Sequence, residues 1–175
     1  MPIFNLDGHE RISPYNRINQ NGPEEMGWRT TAQNLNLNRD YMKADAPEMR
    51  DWLKVFNDWG VDMLVDCHVT DGIDFRYNAS YGMEVHDNIA APLAAWQRRL
   101  EASFLKGMKK AGDPLVPYVF PREGRDLSKG LVDWASAPRL STGYAAVRNR
   151  GNLLIETHML KPYKDRVTEI GRAHV

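Results

Sequence analysis

Two short apolar runs, at residues 61–68 and 152–158, are the strongest pattern in the sequence, and each ends in an ionisable side chain. Both have the length of a strand and stand close to glycines that favour turns. A mainly apolar run of this length that contains β-branched residues is typical of a strand buried in a sheet. The first run is therefore predicted to be a central strand of an α/β sheet, with functional groups beyond its carboxyl end.

Helical spacing of apolar residues marks two further segments, at residues 46–59 and 88–110. Pro47 suits the first turn of the earlier helix, and Gly60 and Gly112 suit the positions where the two helices end. Because a strand follows the first helix, the order resembles a crossover unit, which also indicates an α/β fold.

Weaker patterns predict the remaining elements. We expect short strands at residues 2–5 and 115–120, the second at a sheet edge because of Pro117, and the start of a helix at residues 161–167. Residues 35–41 alternate and are predicted to be extended. The predicted irregular segments are residues 9–33, 71–85 and 121–141.

Composition narrows the functional class. The 175 residues are 42% hydrophobic and 26% charged, as in a single globular domain, with 23 basic and 23 acidic side chains. A balanced charge argues against a nucleic-acid partner bound through bulk charge. The sequence has no apolar run of about twenty residues, so no transmembrane segment is predicted. The single cysteine, Cys67, excludes an internal disulfide and is predicted to be a small buried residue.

Candidate chemistry follows from where the polar residues stand. If His68 and Glu156 meet at one edge of the sheet, they provide a metal ligand and a general base. Arg29, Asn38 and Arg39 are suited to a substrate carboxylate, because guanidinium offers a flat pair of donors. The alternative is that Arg39 stabilises the fold by pairing with Asp40 or Glu156. A thiol protease built on the adjacent Cys67 and His68 is disfavoured, since neighbouring strand residues point to opposite faces.

The order of these motifs resembles the zinc metallocarboxypeptidase family, which has the carboxypeptidase A-like fold. The resemblance covers nearly all of residues 1–167 and implies a mixed central sheet flanked by helices. It rests on Trp28-Arg29, Asn38-Arg39, Asp66-Cys67-His68 and Leu154-Ile155-Glu156, with residues 2–8 similar to the strand and turn that follow the family's first metal motif.

The resemblance implies a cofactor, Zn²⁺, and a role for each residue. His68 would be a zinc ligand and Glu156 the base that deprotonates the zinc-bound water. Arg29 would polarise the scissile carbonyl, while Asn38 and Arg39 would bind the terminal carboxylate of a peptide or similar substrate. Tyr144 is the candidate for the family's substrate-covering tyrosine.

The sequence departs from the family at its other zinc ligands. The family's His-x-x-Glu motif, expected upstream of residues 2–8, is absent from the chain. We therefore expect residues 1–168 to be a partial catalytic domain that is inactive by itself, and residues 169–175 to be a non-native tail. The parent is expected to be the active enzyme. Periplasmic or secreted location is common in the family, and the sequence leaves both location and oligomeric state open.

Two other readings remain open. The same fold and the same Asn-Arg pair serve zinc deacylases that cleave N-acyl amino acids, whose substrates also present a carboxylate beside an amide. A non-catalytic binding domain would explain the missing ligands, although such a domain has no evident need for Glu156.

Overall fold

A computed structural model of the chain describes residues 3–70, 72, 74–86, 88–124 and 126–173. The helices are α1 (Leu6–Glu10), α2 (Pro47–Asp58), α3 (Ala91–Ala111), α4 (Ser141–Val147) and α5 (Tyr163–Ala173), with a 3₁₀ turn at Leu37–Arg39. The strands are β1 (Met63–Val69), β2 (Ala79–Gly82), β3 (Val116–Pro117), β4 (Phe120–Glu123), β5 (Asp126–Val132) and β6 (Gly151–Thr157).

The main sheet has four strands in the order β1-β6-β2-β3 and is mixed. β1 runs parallel to β6, β6 antiparallel to β2, and β2 parallel to β3, while β4 and β5 form a separate hairpin. The predicted α/β class, with a mixed sheet flanked by helices, is confirmed. The chain has no described helix long and apolar enough to cross a membrane.

Each face of the sheet has its own core. α2 and Tyr144 of α4 pack over the face that carries Leu64 of β1. The opposite face, with Leu153 and Ile155 of β6, is covered by side chains of α3 and α5. This division matters for the site, because alternate residues of β1 and β6 belong to opposite layers.

The prediction for β1 was right about the strand and wrong about its position. β1 lies at the edge of the described sheet and is only half-buried, and Cys67, predicted to be buried, is exposed. The reason is that, among the described residues, β1 pairs with β6 and has no strand on its other side. An apolar sequence therefore does not by itself show that a strand is central in its sheet. A central strand needs a neighbouring strand on each of its two edges.

The two long helices are confirmed. Pro47 occupies the first turn of α2, and Gly112 ends α3 in the left-handed conformation, with φ of 90°. The strand at residues 152–158 is confirmed as β6, and the helix expected from residue 161 is α5. α5 continues through residues 169–173, with Ile170 and Ala173 packed against the second core, so the proposed tail boundary stays a prediction.

Predictions near the amino terminus were wrong. Residues 3–5 are not a strand, and Pro2 lies outside the described residues. Asn5 instead caps α1, its Oδ1 accepting a hydrogen bond from the Gly8 amide at 3.0 Å. Residues 37–39, predicted to be extended, form a 3₁₀ turn because the Asn36 side chain accepts from the Asn38 amide at 3.1 Å.

Three elements lie in segments predicted to be irregular or unassigned. β2 is buried but consists of alanine, serine, tyrosine and glycine, so no apolar run marked it. The hairpin of β4 and β5 and the helix α4 were also missed, and the predicted edge strand at 115–120 is divided between β3 and the start of β4.

We expect Ile155→Ala to lower the free energy of unfolding by about 2–5 kcal/mol, because Ile155 is completely buried in the second core. Urea denaturation followed by circular dichroism measures the change. Leu127→Ala in β5 is the control, since Leu127 is 64% exposed and its truncation should change stability by no more than about 0.5 kcal/mol. Equal losses in the two variants would show that this core does not support the sheet.

Candidate active site

His68 and Glu156 are brought together by the pairing of two strands. In the parallel pair of β1 and β6, His68 and Glu156 are Cα register partners. Register partners in neighbouring parallel strands present their side chains on the same face of the sheet. Both residues stand one position before the carboxyl end of their strand, so the imidazole and the carboxylate meet at that edge.

A second carboxylate fixes the orientation of the His68 ring. Asp66, two residues earlier on the same face of β1, has Oδ2 at 2.7 Å from His68 Nε2 and also accepts a hydrogen bond from Ser141. Since the carboxylate can only accept, Nε2 carries the proton and Nδ1 remains for another partner.

These neighbours set the protonation of the pair. Burial by itself lowers the pKa of His68, but the hydrogen bond and charge of Asp66 outweigh it and raise that pKa above its ordinary value. Burial also acts to raise the pKa of the Asp66 carboxyl, and the hydrogen bonds from His68 and Ser141 nevertheless hold it below its usual range. Glu156 adds to the rise at His68 and Arg29 opposes it, which places both charges near the imidazole.

A cavity of about 380 Å³ opens at this edge of the sheet. Its walls include the predicted residues Arg29, Asn38, Arg39, His68 and Glu156. The structure therefore gathers around one space the groups that were assigned to a metal, a base and a substrate carboxylate. A second cavity of about 610 Å³ shares Arg29, Asn38 and His68 with the first and does not include Glu156 or Arg39.

Tyr144 is not part of this space. It lines neither cavity and is buried in the first core, with its ring 5.8 Å from Tyr41 and 5.7 Å from Phe56, centroid to centroid. The structure thus places Tyr144 where it packs against α2, away from the residues with which it was grouped.

The residues that carry the cationic groups are held by local hydrogen bonds. The carbonyl of Arg29 accepts from the Asn5 side chain at 3.2 Å, and Arg39 Nη1 donates to the Asn38 carbonyl at 2.6 Å. Asp40, the suggested alternative partner of Arg39, is buried and instead accepts from the amides of Asp45 and Ala46 at 3.1 and 2.9 Å. The guanidinium of Arg39 is exposed toward solvent.

Sequence reasoning missed several cavity residues in the segment that precedes α4. Arg139, Asp133 and Trp134 line the cavity, and so do His86 and the buried Glu84. His86 Nε2 lies 3.6 Å from Asp133 Oδ2. No periodic pattern marks this segment, and only its position before a strong strand could have pointed to it.

The residues described here do not make a complete zinc site. Among them, no group of three or more His, Cys, Asp or Glu side chains is placed to hold a metal ion. His68 offers Nδ1, whereas a catalytic zinc needs three protein ligands. The part of the chain that the structure describes therefore fits the cofactor only in part, through the oriented imidazole of His68.

His158 lies just beyond the carboxyl end of β6, two residues after Glu156. Its buried ring stacks on Phe75 with centroids 4.3 Å apart, donates from Nδ1 to the Tyr77 carbonyl and has Nε2 3.2 Å from Ser80 Oγ. Nδ1 must hold a proton to donate to that carbonyl, and a neutral ring would then accept at Nε2 from the Ser80 hydroxyl. Burial, with the Lys161 charge adding, lowers the pKa of His158.

Comparison with known proteins relates the fold to metallopeptidases. No family model and no curated protein matches the sequence. The structure is similar to a metallo-carboxypeptidase from Burkholderia cenocepacia, with 21% identity and a TM-score of 0.60. It is also similar to a protein described as a carboxypeptidase A from Shewanella denitrificans, with 18% identity and a TM-score of 0.61. Each likeness covers 84% of this chain and 39% of the other.

The fold is therefore that of metallo-carboxypeptidase structures, as the resemblance of the motifs predicted. The chain spans about 39% of the length of these solved structures. At these identities the likeness establishes the fold, and the activity has to be argued from the site.

We expect His158→Gln to make stability less dependent on pH in the acid range. Because the folded pKa of His158 is lowered, the unfolded chain binds the proton more readily, and stability falls as pH drops through roughly 6.5. Urea denaturation at about pH 7 and about pH 5.5 should show a larger loss for the variant at the higher pH.

His9→Gln is the matched control, because it removes an imidazole that is exposed and belongs to neither core. A His158 variant whose loss of stability is the same at both pH values would contradict the neutral, buried ring.

Proposed function

We propose that this chain forms the substrate-binding and proton-transfer part of a zinc metallocarboxypeptidase, which hydrolyses the carboxyl-terminal peptide bond of its substrate. The observation that carries the proposal is the convergence of a base, an oriented imidazole and two arginines on one cavity at the carboxyl edge of β1 and β6. The fold shared with metallo-carboxypeptidase structures supports the same activity.

Binding of the substrate begins with its terminal carboxylate. Arg39 and Asn38 stand next to each other on the 3₁₀ turn, with the Arg39 guanidinium exposed at the cavity. A guanidinium can make two parallel hydrogen bonds to a carboxylate, and the amide adds a neutral donor. The pair therefore selects the end of a peptide over its interior.

Hydrolysis needs a base, and Glu156 is the one that lies at the sheet edge. Its carboxylate takes a proton from the attacking water as the new C–O bond forms at the scissile carbonyl carbon. The same proton passes to the amide nitrogen as the C–N bond breaks, so the leaving amine departs neutral. Arg29, which shares the cavity, stabilises the negative charge that develops on the carbonyl oxygen.

Zinc belongs to the proposal through His68 and through ligands that the described residues do not provide. A zinc ion would supply Lewis acidity to the site, and the steps described above are assigned to the chain's own residues. We propose that the further ligands come from a longer polypeptide that contains this chain. Zinc titration of the chain itself, followed by calorimetry, should then show only weak binding, and a stoichiometric nanomolar site would contradict this.

The activity is tested with a longer polypeptide, expressed from a gene that includes the upstream coding sequence and loaded with zinc. We expect release of the carboxyl-terminal residue from N-blocked dipeptides. Hydrolysis of N-acyl amino acids with no attack on dipeptides would indicate the deacylase instead. Absence of both activities in a protein that binds zinc with native stoichiometry would favour a non-catalytic domain.

In that longer polypeptide, Glu156→Gln should lower kcat by about 10²- to 10⁴-fold, because the amide cannot accept the proton. Steady-state kinetics on an N-blocked dipeptide measures the loss. Glu25→Gln, which removes an exposed carboxylate outside both cavities, should leave kcat unchanged. Equal turnover in the Glu156 variant and the wild type would remove Glu156 from the mechanism.

In the chain itself, Arg39→Gln should weaken binding of N-acetyl-L-leucine about 10- to 100-fold, the value of a lost charge-assisted hydrogen bond. Binding of N-acetyl-L-leucinamide, which has no carboxylate, should change little. NMR titration measures both dissociation constants. Arg99→Gln on the exposed side of α3 is the control, and equal weakening of acid and amide by Arg39→Gln would contradict the assigned role.

A further inference from the structure

The cavity contains a third guanidinium group that the proposed reaction does not use. Arg29, Arg39 and Arg139 all line it, and the first two are assigned to the scissile carbonyl and the terminal carboxylate. Arg139 comes from a different part of the chain, immediately before α4. It therefore faces the same bound substrate from another wall.

Arg139 has no partner within the described protein. Neither a hydrogen bond nor an ion pair joins its guanidinium to any residue of the ranges that the structure covers, and the side chain is exposed. Two acidic groups of the cavity, Glu84 and Asp133, have other partners. Glu84 accepts from the Ser136 amide at 3.1 and 3.2 Å, and Asp133 lies beside His86.

The backbone that carries Arg139 is held in place. Glu84 is buried, and the two hydrogen bonds from the Ser136 amide to its carboxylate tie the segment to the end of β2. The Leu140 amide donates to the Ala137 carbonyl at 2.9 Å. A side chain at Gly143 would collide with the carbonyl oxygens of Ser136 and Ala137, so α4 packs directly against this segment. The unpartnered cation thus stands on a fixed support.

The same cavity also has an aromatic wall, which would favour an apolar substrate side chain. However, Phe120 and Trp134 stack on each other with centroids 5.0 Å apart and planes at 16°, so each covers a face of the other. An apolar side chain filling the space beside them would also shield Arg139 from water without giving it a counter-ion, which is costly. A carboxylate in that place would neutralise the positive charge of Arg139 and accept hydrogen bonds from its guanidinium.

Resting on the proposed carboxypeptidase function, we propose that Arg139 binds the side-chain carboxylate of the substrate's terminal residue, so that the site prefers chains ending in glutamate or aspartate. The substrate is then a dicarboxylate at its end, held by Arg39 at the terminal carboxylate and by Arg139 at the side chain. Arg139 is in this sense a specificity-determining residue and takes no part in bond breaking.

The test compares two ligands that differ only in charge. N-acetyl-L-glutamate and N-acetyl-L-glutamine have nearly the same shape, and NMR titration of the chain gives the dissociation constant of each. We expect glutamate to bind about 10-fold or more tightly than glutamine, as a charge-assisted hydrogen bond predicts. Arg139→Gln should bring the ratio of the two constants close to one.

Arg122→Gln is the matched control, because Arg122 is exposed on the neighbouring strand β4 and lines neither cavity. It should leave the ratio as it is in the wild type. Equal binding of the two ligands by the wild type, a preference for N-acetyl-L-phenylalanine over both, or an unchanged ratio in the Arg139 variant would each overturn the proposal.

The proposed function is tested by a separate variant, Arg39→Gln, titrated with the same ligands. If Arg39→Gln weakens both ligands while the glutamate preference is absent, the terminal-carboxylate site stands and the role of Arg139 fails. If Arg39→Gln has no effect on either ligand, the proposed function fails. Absence of binding by any of the ligands would overturn both.

Discussion

The parallel pairing of β1 with β6 determines where the candidate functional groups of this protein lie. Seven residues of each strand pair in one register, and that register sets His68 opposite Glu156. A shift by one residue would turn one of the two side chains to the other face of the sheet. Two hydrogen bonds stabilise the carboxyl end of this strand pair. Thr157 Oγ1 donates to the His68 carbonyl at 3.0 Å, and the Thr70 amide donates to the Thr157 carbonyl at 2.9 Å.

The arginines reach the same space by a different principle. Each comes from a segment without long regular structure, and each segment is anchored by a polar side chain that bonds to backbone groups. Asn5 donates to the carbonyl of Arg29, Asn36 accepts from the turn that holds Arg39, and Glu84 accepts from the segment before Arg139. Backbone positions fixed in this way reduce the ordering cost when a substrate binds. Paired strands thus position the groups that we propose for the reaction, and anchored loops position the groups that we propose for substrate recognition.

How far the sequence predicted this arrangement depends on the range of the interactions. β1, β6, α2 and α3 follow from local sequence patterns. The expectation that His68 and Glu156 meet at one sheet edge followed from the polar residues at the strand ends, and the strand register brings the two residues together. β2 was missed, because Ala79–Gly82 is buried by its place between β6 and β3 and not by an apolar composition. The strand predicted at residues 2–5 was wrong because the Asn5 cap, a side-chain hydrogen bond, favours the helix α1.

Tyr144 and Arg139 show that local sequence patterns also do not reveal which side chains line the cavity. Their positions differ by five residues, yet one packs in the core under α2 and the other lines the cavity. The difference follows from α4, which begins at Ser141, and from Gly143, which lets that helix press against the carbonyls of the preceding segment. Neither a helix of seven residues nor a close backbone approach leaves a periodic signal, so the motif order alone could not separate the two side chains.

In the zinc site that we propose, the Asp66–His68 pair would couple the orientation of the imidazole to metal binding. Asp66 accepts a hydrogen bond from Nε2–H, which leaves the lone pair on Nδ1. This is the form of imidazole that binds a metal. The same carboxylate raises the pKa of His68, so the ring also holds a proton more strongly at Nδ1. A metal must then displace that proton, and its apparent affinity falls as pH decreases. The hydrogen bond that fixes the geometry of the ligand thus makes its use depend on pH, and further ligands would have to offset that cost.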